Sequence, residues 1–104
     1  MDNSLKKGIY FDLNIRALKM FYPKADWRHA YFDIRQFLEA NNFEHIQGSG
    51  YHSQSSLSEV DAMKIIYFMY SELSWLSSCV SICIISDIPH IYDVSKILSH
   101  FTLA

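Results

Sequence analysis

The chain lacks the features that mark secreted, membrane-spanning and strongly basic proteins. Its 104 residues carry 9 lysines and arginines against 11 aspartates and glutamates, giving a net charge of −2. This is not the basic profile of a tight, non-specific nucleic-acid binder. The longest apolar stretch, Ile65–Tyr70, is far shorter than the roughly 20 residues of a membrane span. Met1–Lys7 is polar, unlike a signal peptide. We therefore expect a cytoplasmic protein that does not enter a membrane.

Cysteine is also scarce, since the chain contains only Cys79 and Cys83. The β-branched residues between and after them favour a strand, in which four residues span about 13 Å. That distance is too long for a disulfide, whose Cα atoms lie roughly 4.4–6.8 Å apart. A metal site would require a second cysteine pair, which the sequence does not contain. Both cysteines are predicted to be reduced thiols, as is usual in the cytoplasm.

Apolar side chains, in contrast, are abundant: 50% of the residues are hydrophobic and 15% are aromatic. A chain of this length suits one domain. A small domain cannot bury so many large side chains by itself, so we expect exposed apolar surface and a homodimer.

Four short runs of β-branched and aromatic residues predict strands. They cover about residues 8–13, 43–47, 51–52 and 80–85. The last run is nearly all apolar, which favours a central position in a sheet. If Val80, Ile82 and Ile84 face the core, alternation places Ser81 and Cys83 on the other face of the sheet.

Apolar side chains at three- and four-residue spacing predict two main helices. The first has Asp26 as its N-cap and ends at Asn41-Asn42. Its predicted buried stripe is Trp27, Ala30, Tyr31, Ile34, Phe37 and Leu38. The second follows a capping box at Ser56–Glu59 and extends to about Leu76. Shorter helical segments are expected at 14–22 and around 91–101.

The order of these elements, β-α-β-β-α-β, predicts an α+β fold of the ferredoxin-like kind. Such a fold has a four-stranded antiparallel sheet with both helices on one face, here followed by a short C-terminal helix. Residues 1–7 are expected to be a flexible leader, and residues 8–104 a single domain. The other face of the sheet would be bare, and a bare face of this kind commonly pairs with a second subunit.

The first strand supplies the leading candidate for a chemical site. Alternation places Ile9, Phe11 and Leu13 on one face, and Tyr10 and Asp12 on the other. An acid on a face that should be apolar or covered makes Asp12 a candidate catalytic residue. Alternatively, Asp12 caps the turn that follows the strand. In a dimer, two copies of Asp12 near the two-fold axis would be able to share a divalent cation.

Several stretches of the chain resemble one known family. FDL at 11–13 lies in the first strand, and AYFDIR at 30–35 resembles an A-Y-x-D-[IL]-R helix. FEHIQGSGY at 43–51 resembles a G-F-x-x-x-Q-G-S-x-Y hairpin, and LSWL at 73–76 matches an aromatic helix end. Over about residues 8–80, the chain therefore resembles virulence-associated protein D (VapD).

This resemblance implies a fold similar to that of the small CRISPR-associated nucleases. It also implies a dimeric endoribonuclease, a toxin that in some cases pairs with a small antitoxin protein. Asp12 matches the acid most often assigned to catalysis, as a base or as a ligand of Mg²⁺. The residues expected to hold the phosphate groups of the RNA are Gln47, Ser49 and Tyr51 of the hairpin, together with Arg16 or Lys19.

Three alternatives remain open at the level of sequence, and the least favoured is nucleic-acid binding without cleavage, because neither basic patches nor exposed aromatic platforms stand out. His45 and His52 flank the hairpin bend and, if they face each other, would support metal-free general acid–base cleavage. VapD-like proteins usually carry a charged R-D-I-R-A-F-like fourth strand, where this chain has VSICII at 80–85. That difference, the acidic charge balance and the broad apolar helix favour the third alternative, a dimeric interaction or regulatory protein that performs no chemistry.

Overall fold

The computed structural model describes residues 4–89 and 94–99. The strands are β1 (Lys6–Leu13), β2 (Phe43–Gln47), β3 (Gly50–Ser53) and β4 (Val80–Ile88). The helices are α1 (Ile15–Phe21), α2 (His29–Ala40), α3 (Glu59–Glu72), α4 (Leu76–Cys79) and α5 (Ser95–Leu98). The strands form one antiparallel sheet in the order β2-β3-β1-β4. The predicted α+β class and four-stranded antiparallel sheet are confirmed.

Strand β1 is central, pairing with β3 on one side and β4 on the other. It begins two residues earlier than predicted, so Lys6 and Lys7 belong to the sheet and not to a leader. The backbone N–H of Lys7 donates to Ser53 Oγ at 2.8 Å, and its ammonium group lies 2.6 Å from Asp87 Oδ1. These contacts to β3 and β4 extend the strand towards the N-terminus. Residues 1–3 of the predicted leader lie outside the described residues.

The two faces of β1 differ as its alternation predicts. Ile9 and Phe11 are buried, whereas Tyr10 and Asp12 are exposed. The buried pair joins a core that includes residues of three helices: Leu18, Ala30, Ile34, Leu38, Ile66 and Met69. We call the face with Ile9 and Phe11 the core face, and the face with Tyr10 and Asp12 the open face.

Strand β4 departs from its prediction in both position and orientation. It lies at an edge of the described sheet, not at its centre. A bulge shifts its register, because Asp12 pairs with Ile82 but Leu13 pairs with Val80, leaving Ser81 unpaired. One unpaired residue reverses the alternation. Consequently Cys83 packs against the core, while Ile82 and Ile84 lie on the open face, opposite to the expectation.

Helices α1 and α2 are close to their predicted ranges. Asn14 caps α1, with Oδ1 accepting from the Ala17 N–H at 2.9 Å. Asp26 accepts from the Arg28 N–H at 3.0 Å, but α2 begins only at His29. Helix α2 ends as predicted, and Asn42 adopts a left-handed φ of 67°. Tyr31, predicted to lie in the buried stripe, is exposed.

Helix α3 begins two residues later than the predicted capping box. Ser58, not Ser56, caps it by accepting from the Asp61 N–H at 3.1 Å. The reason is that the Leu57 N–H donates to the Leu5 carbonyl at 3.1 Å, which keeps residue 57 in the preceding extended segment. The helix ends at Glu72, and α4 forms a separate turn before β4.

The C-terminal region is described only in part. Residues 95–98 form the short helix α5, and the remainder of the helix predicted around 91–101 lies outside the described residues, apart from residues 94 and 99. Cys79 ends α4 and Cys83 lies in β4; both are free thiols, and burial raises the pKa of each. In the described part of the chain, no helix has the length and apolar character required to span a membrane.

Candidate functional site

A groove of about 510 Å³ lies on the open face, between the β2–β3 hairpin and β4. This size is within the usual range of ligand sites. We call it the sheet groove, and its polar or aromatic lining residues are Tyr10, Phe11, Asp12, Gln47, Ser49 and His52. Ile46, Ile82 and Ile84 form its apolar borders. Three of the predicted site residues, Asp12, Gln47 and Ser49, are therefore brought together.

Asp12 is exposed at one end of the sheet groove. Among residues 4–89 and 94–99, no hydrogen bond or ion pair engages its carboxylate. The alternative role proposed from sequence, capping of the next turn, belongs instead to Asn14. The Asp12 carboxylate is therefore free of the described side chains and is oriented towards the groove.

The hairpin reaches the sheet groove because β2 contains a bulge. His45 pairs with Tyr51 and Gln47 pairs with Gly50, so Ile46 is the additional residue. Without it, Gln47 would share the core-side orientation of His45. Gly48 has a left-handed φ of 54° in the turn, and the Phe11 N–H donates to the Ser49 carbonyl at 3.3 Å. The bulge and this contact together position Gln47 and Ser49 beside Asp12.

Tyr10 and His52 form a polar pair in the sheet groove that the sequence did not reveal. The Tyr10 hydroxyl lies 3.0 Å from His52 Nε2, and the two rings are in edge-to-face contact. The Tyr10 ring lies across two glycines: a Cβ on Gly8 would lie 2.9 Å from the ring, and one on Gly50 would lie 3.2 Å from it. Glycine at both positions therefore allows the ring to lie along the sheet surface.

The Tyr10–His52 pair and Asp12 occupy different parts of the sheet groove. His52 is directly opposite Gly8 in the sheet, four residues from Asp12 along β1. Four residues of a strand span about 13 Å, so the backbone positions of His52 and Asp12 are separated by roughly that length. The Tyr10 hydroxyl contacts His52, and the groove therefore offers a carboxylate at one end and a hydroxyl–imidazole pair at the other.

Two predicted substrate-binding residues lie away from the sheet groove. Tyr51 is buried on the core face, stacked on Phe11 with ring centroids 5.9 Å apart, and burial raises the pKa of its hydroxyl. Its position follows from the register, because Tyr51 pairs with Ile9 of the core face. Arg16 is exposed in the first turn of α1 and does not line the groove. The alternation of side chains along β3 was the sequence signal that would have placed Tyr51 and Asp12 on opposite faces of the sheet.

The predicted histidine pair does not form. Tyr51 and His52 are adjacent in β3 and point to opposite faces. His45 pairs with Tyr51 on the core face, and its Nε2 donates to the Gly48 carbonyl at 2.7 Å. His52 lies on the open face. The two imidazoles are therefore on opposite sides of the sheet and cannot act as one acid–base pair.

A single chain brings one carboxylate, that of Asp12, to the sheet groove as a ligand for the expected Mg²⁺. Proteins usually supply Mg²⁺ with one or two carboxylates, while water and substrate phosphates provide its other oxygen ligands. In the described ranges, no three His, Cys, Asp or Glu side chains come together, and Asp12 is the one carboxylate among the described residues that line the groove. We derive no chemical step through a metal ion.

Known proteins do not identify this site. No protein-family model and no curated protein matches the chain. The resemblance to VapD therefore stays a prediction from the motifs of the chain itself.

Proposed function

We propose that the protein is a VapD-like endoribonuclease with its catalytic centre in the sheet groove. The observation that carries the proposal is the assembly of Asp12, Gln47 and Ser49, from two separate parts of the sequence, around one groove with an unengaged carboxylate. The strand order β2-β3-β1-β4, with the β2–β3 hairpin beside the central β1, supports a ferredoxin-like assignment.

In this mechanism the 2′-hydroxyl of a nucleotide attacks the adjacent phosphate. Asp12 accepts the proton of that hydroxyl as a general base. The Gln47 amide and the Ser49 hydroxyl donate hydrogen bonds to the phosphate oxygens, where negative charge develops. The bond from phosphorus to the 5′-oxygen breaks, and this oxygen takes a proton from water. The products are a 2′,3′-cyclic phosphate and a 5′-hydroxyl.

The Tyr10–His52 pair has a binding role in this proposal. Tyr10 is only two residues from Asp12, but its hydroxyl extends to His52, whose backbone lies about 13 Å from Asp12 along the strand, so the contact is too far away to act on the same phosphate. A nucleotide next to the cleaved bond would reach it, and the Tyr10 hydroxyl and the His52 ring provide hydrogen bonding and an aromatic surface there.

We further propose that the protein works as a homodimer in the cytoplasm, with an antitoxin protein as regulator. Ile82 and Ile84 are half-exposed on the open face at the β4 border of the groove, and Ile46 is exposed at its β2 border. Apolar side chains arranged in this way support coverage by a second copy of the chain. The two free thiols support a reducing compartment.

The test is the cleavage of a mixed-sequence RNA by the purified chain and by Asp12→Asn, each with Mg²⁺ and with EDTA. We expect the wild type to cut and Asp12→Asn to be slower by about 10²-fold or more, because a positioned base contributes about that much. Asp61→Asn is the matched control, since Asp61 is an exposed acid on α3 and outside the groove. Cleavage that survives EDTA would support Asp12 as a general base that acts without a metal ion.

Equal cleavage by the wild type and Asp12→Asn would contradict the assignment of Asp12. Loss of cleavage with EDTA alone would show that a metal ion takes part, with Asp12 as its ligand beside RNA phosphates, water or a second copy of Asp12. Urea denaturation of each variant checks folding, and we expect Asp12→Asn to lie within about 0.5 kcal/mol of the wild type, as for other exposed positions.

A second candidate function is an interaction protein without chemistry, and α3 provides the observation that favours it. Val60, Tyr67 and Phe68 are exposed on this helix, and a hollow of about 300 Å³ is lined by Val60, Met63 and Tyr67. Exposed apolar surface of this kind is typical of protein-binding sites. A folded wild-type protein that cleaves no RNA would favour this function over the nuclease.

A further inference from the structure

A second groove lies on the other side of the β2–β3 turn, between that turn and α2. It is also about 510 Å³, and we call it the helix groove. One wall of the helix groove consists of Arg28, just before α2, and Tyr31, Phe32 and Arg35 of α2. The hairpin contributes His45 and Tyr51 to the other wall. Phe11 and Ser49 line both this groove and the sheet groove. The two grooves are therefore adjacent, and they meet at Phe11 and Ser49.

The residues of the helix side lie on one stripe. Arg28, Tyr31, Phe32 and Arg35 occur at the spacing i, i+3, i+4 and i+7, which places them on the same side of a helix. The buried residues of α2, namely Ala30, Ile34 and Leu38, form a different stripe directed into the core. Core packing therefore does not account for the two aromatic rings, and Phe32 is 49% exposed.

The charge of the helix groove suits an anion. Among the described residues that line it are two arginines and one histidine, and none is acidic. Arg28 and Arg35 are seven residues apart, or about 10 Å along a helix. Their carboxylate partners, Asp26 and Glu39, lie outside the groove lining, and both pairs are solvent-exposed. Exposed pairs of this kind contribute little, so a phosphate can replace either carboxylate.

Two aromatic rings lie between these two charges along the stripe. Aromatic faces bind successive bases of single-stranded nucleic acid by stacking, while arginines neutralise the backbone phosphates. The combination of Arg, Tyr, Phe and Arg on one surface fits that ligand better than it fits an acidic peptide, which offers carboxylates but no flat rings to stack.

We propose that the helix groove binds single-stranded RNA that continues from the sheet groove around the turn at Ser49. Arg28 and Arg35 hold phosphates, and Tyr31 and Phe32 stack on bases. This inference rests on the proposed function, because it names the path of the same substrate. In this path, α2 binds the bases that lie outside the cleavage site.

The experiment measures the binding of a fluorescein-labelled, mixed-sequence RNA of about 12 nucleotides, within the range covered by single-strand binding modules. Fluorescence anisotropy is recorded in an Asp12→Asn background to prevent cleavage. We expect Arg28→Ala and Arg35→Ala each to raise Kd roughly tenfold and to lower the salt dependence by about one phosphate contact. Lys64→Ala, which removes one exposed charge from α3, is the matched control and should leave Kd unchanged.

The stacking role has its own matched pair. Phe32→Ala should raise Kd roughly tenfold, the usual loss for one stacked base. Phe68→Ala removes a ring of similar exposure, 53%, from α3 and should have no effect on Kd. Circular dichroism melting of every variant confirms that each one is folded.

The outcomes separate this inference from the proposed function. If the wild type cleaves RNA and Kd is unchanged in Arg28→Ala and Arg35→Ala, RNA binding in the helix groove is contradicted, while the proposed nuclease function is not. Binding that depends on these residues, without cleavage, would support the groove and contradict the nuclease. Loss of binding in the arginine variants with no effect of Phe32→Ala would overturn the RNA assignment in favour of a general anion site.

Discussion

The open face and the core face of the sheet differ although they share the same strands. In β1, Ile9 and Phe11 are buried beneath helices, while Tyr10 and Asp12 line a groove. Alternate residues of β1 thus contribute to the stability of the core and to the candidate site. Because the side-chain period of a strand is two, a substitution at one residue should affect one of these properties and leave the other largely unchanged. The following predictions test that separation.

The largest effect is expected from a matched pair of isoleucines. Ile9 is 0% exposed and Ile84 is 52% exposed, on adjacent strands and opposite faces. Ile9→Ala should reduce the free energy of unfolding by about 2–5 kcal/mol, whereas Ile84→Ala should cost about 1 kcal/mol or less in the monomer. Urea denaturation measures both losses.

A similar loss in the two isoleucine variants would show that the open face is buried in solution. Repeating the denaturation over a range of protein concentrations then shows whether a second copy of the chain buries this face. If a second copy packs on Ile84, the cost of Ile84→Ala will depend on protein concentration.

An intermediate effect is expected at Tyr22, which belongs to the core side of the molecule. Its hydroxyl donates to Asp33 Oδ2 at 2.5 Å, and its ring packs edge-to-face on Trp75. Tyr22→Phe removes a hydrogen bond to a carboxylate and should cost about 2 kcal/mol at neutral pH. Lys24 and His29 also contact Asp33 and remain in the variant.

The same residue makes stability depend on alkaline pH. Burial, assisted by Asp33, raises the pKa of Tyr22 well above that of an ordinary phenol, about 10. Below pH 10 the hydroxyl is protonated in both states, and its contribution is complete. Above pH 10 the unfolded chain loses the proton first, so stability falls by up to about 1.4 kcal/mol per pH unit.

Urea denaturation between pH 8 and pH 11 should therefore show a smaller decline in Tyr22→Phe than in the wild type. Some decline should remain in the variant, because burial also raises the pKa of Tyr51 and Tyr70. An identical slope in the two proteins would contradict the role of Tyr22.

The smallest effect is expected on the open face, at Gly8. Its Cβ would lie 2.9 Å from the Tyr10 ring, so Gly8→Ala should displace the ring and break its contact with His52. The expected cost is about 1 kcal/mol, since a mobile surface ring can move aside. A double-mutant cycle with Tyr10→Ala measures the coupling. Additive effects of the two substitutions would contradict the arrangement of Tyr10 over Gly8.

The success of the sequence predictions depended on how clearly each strand alternates. In β1 the pattern of Ile9, Tyr10, Phe11 and Asp12 distinguishes the two faces, and the prediction was confirmed. In β4 the run VSICII is apolar at nearly every position, so its pattern does not indicate which side chains face the core. The bulge at Ser81, which depends on pairing with β1, then decided the orientation.

The candidate site was predictable only where residues are close in sequence or marked by a motif. Asp12, Gln47 and Ser49 were predicted and line one groove. Tyr51 was assigned to the same site because the motif gave its identity but not its face. The contact of Tyr10 with His52 depends on the register of β1 with β3, which a single sequence does not contain.

The bulge at Ser81 also has a consequence for aggregation. The outer side of β4 is unpaired within the described sheet, and a nine-residue edge strand that includes the apolar run Ile82–Ile85 would be a template for further chains. The bulge interrupts the regular row of backbone donors and acceptors and increases the local twist. Asp87 and Pro89 oppose pairing near the other end of the strand. The residue that turns two isoleucines onto the open face thus also limits edge-to-edge polymerisation.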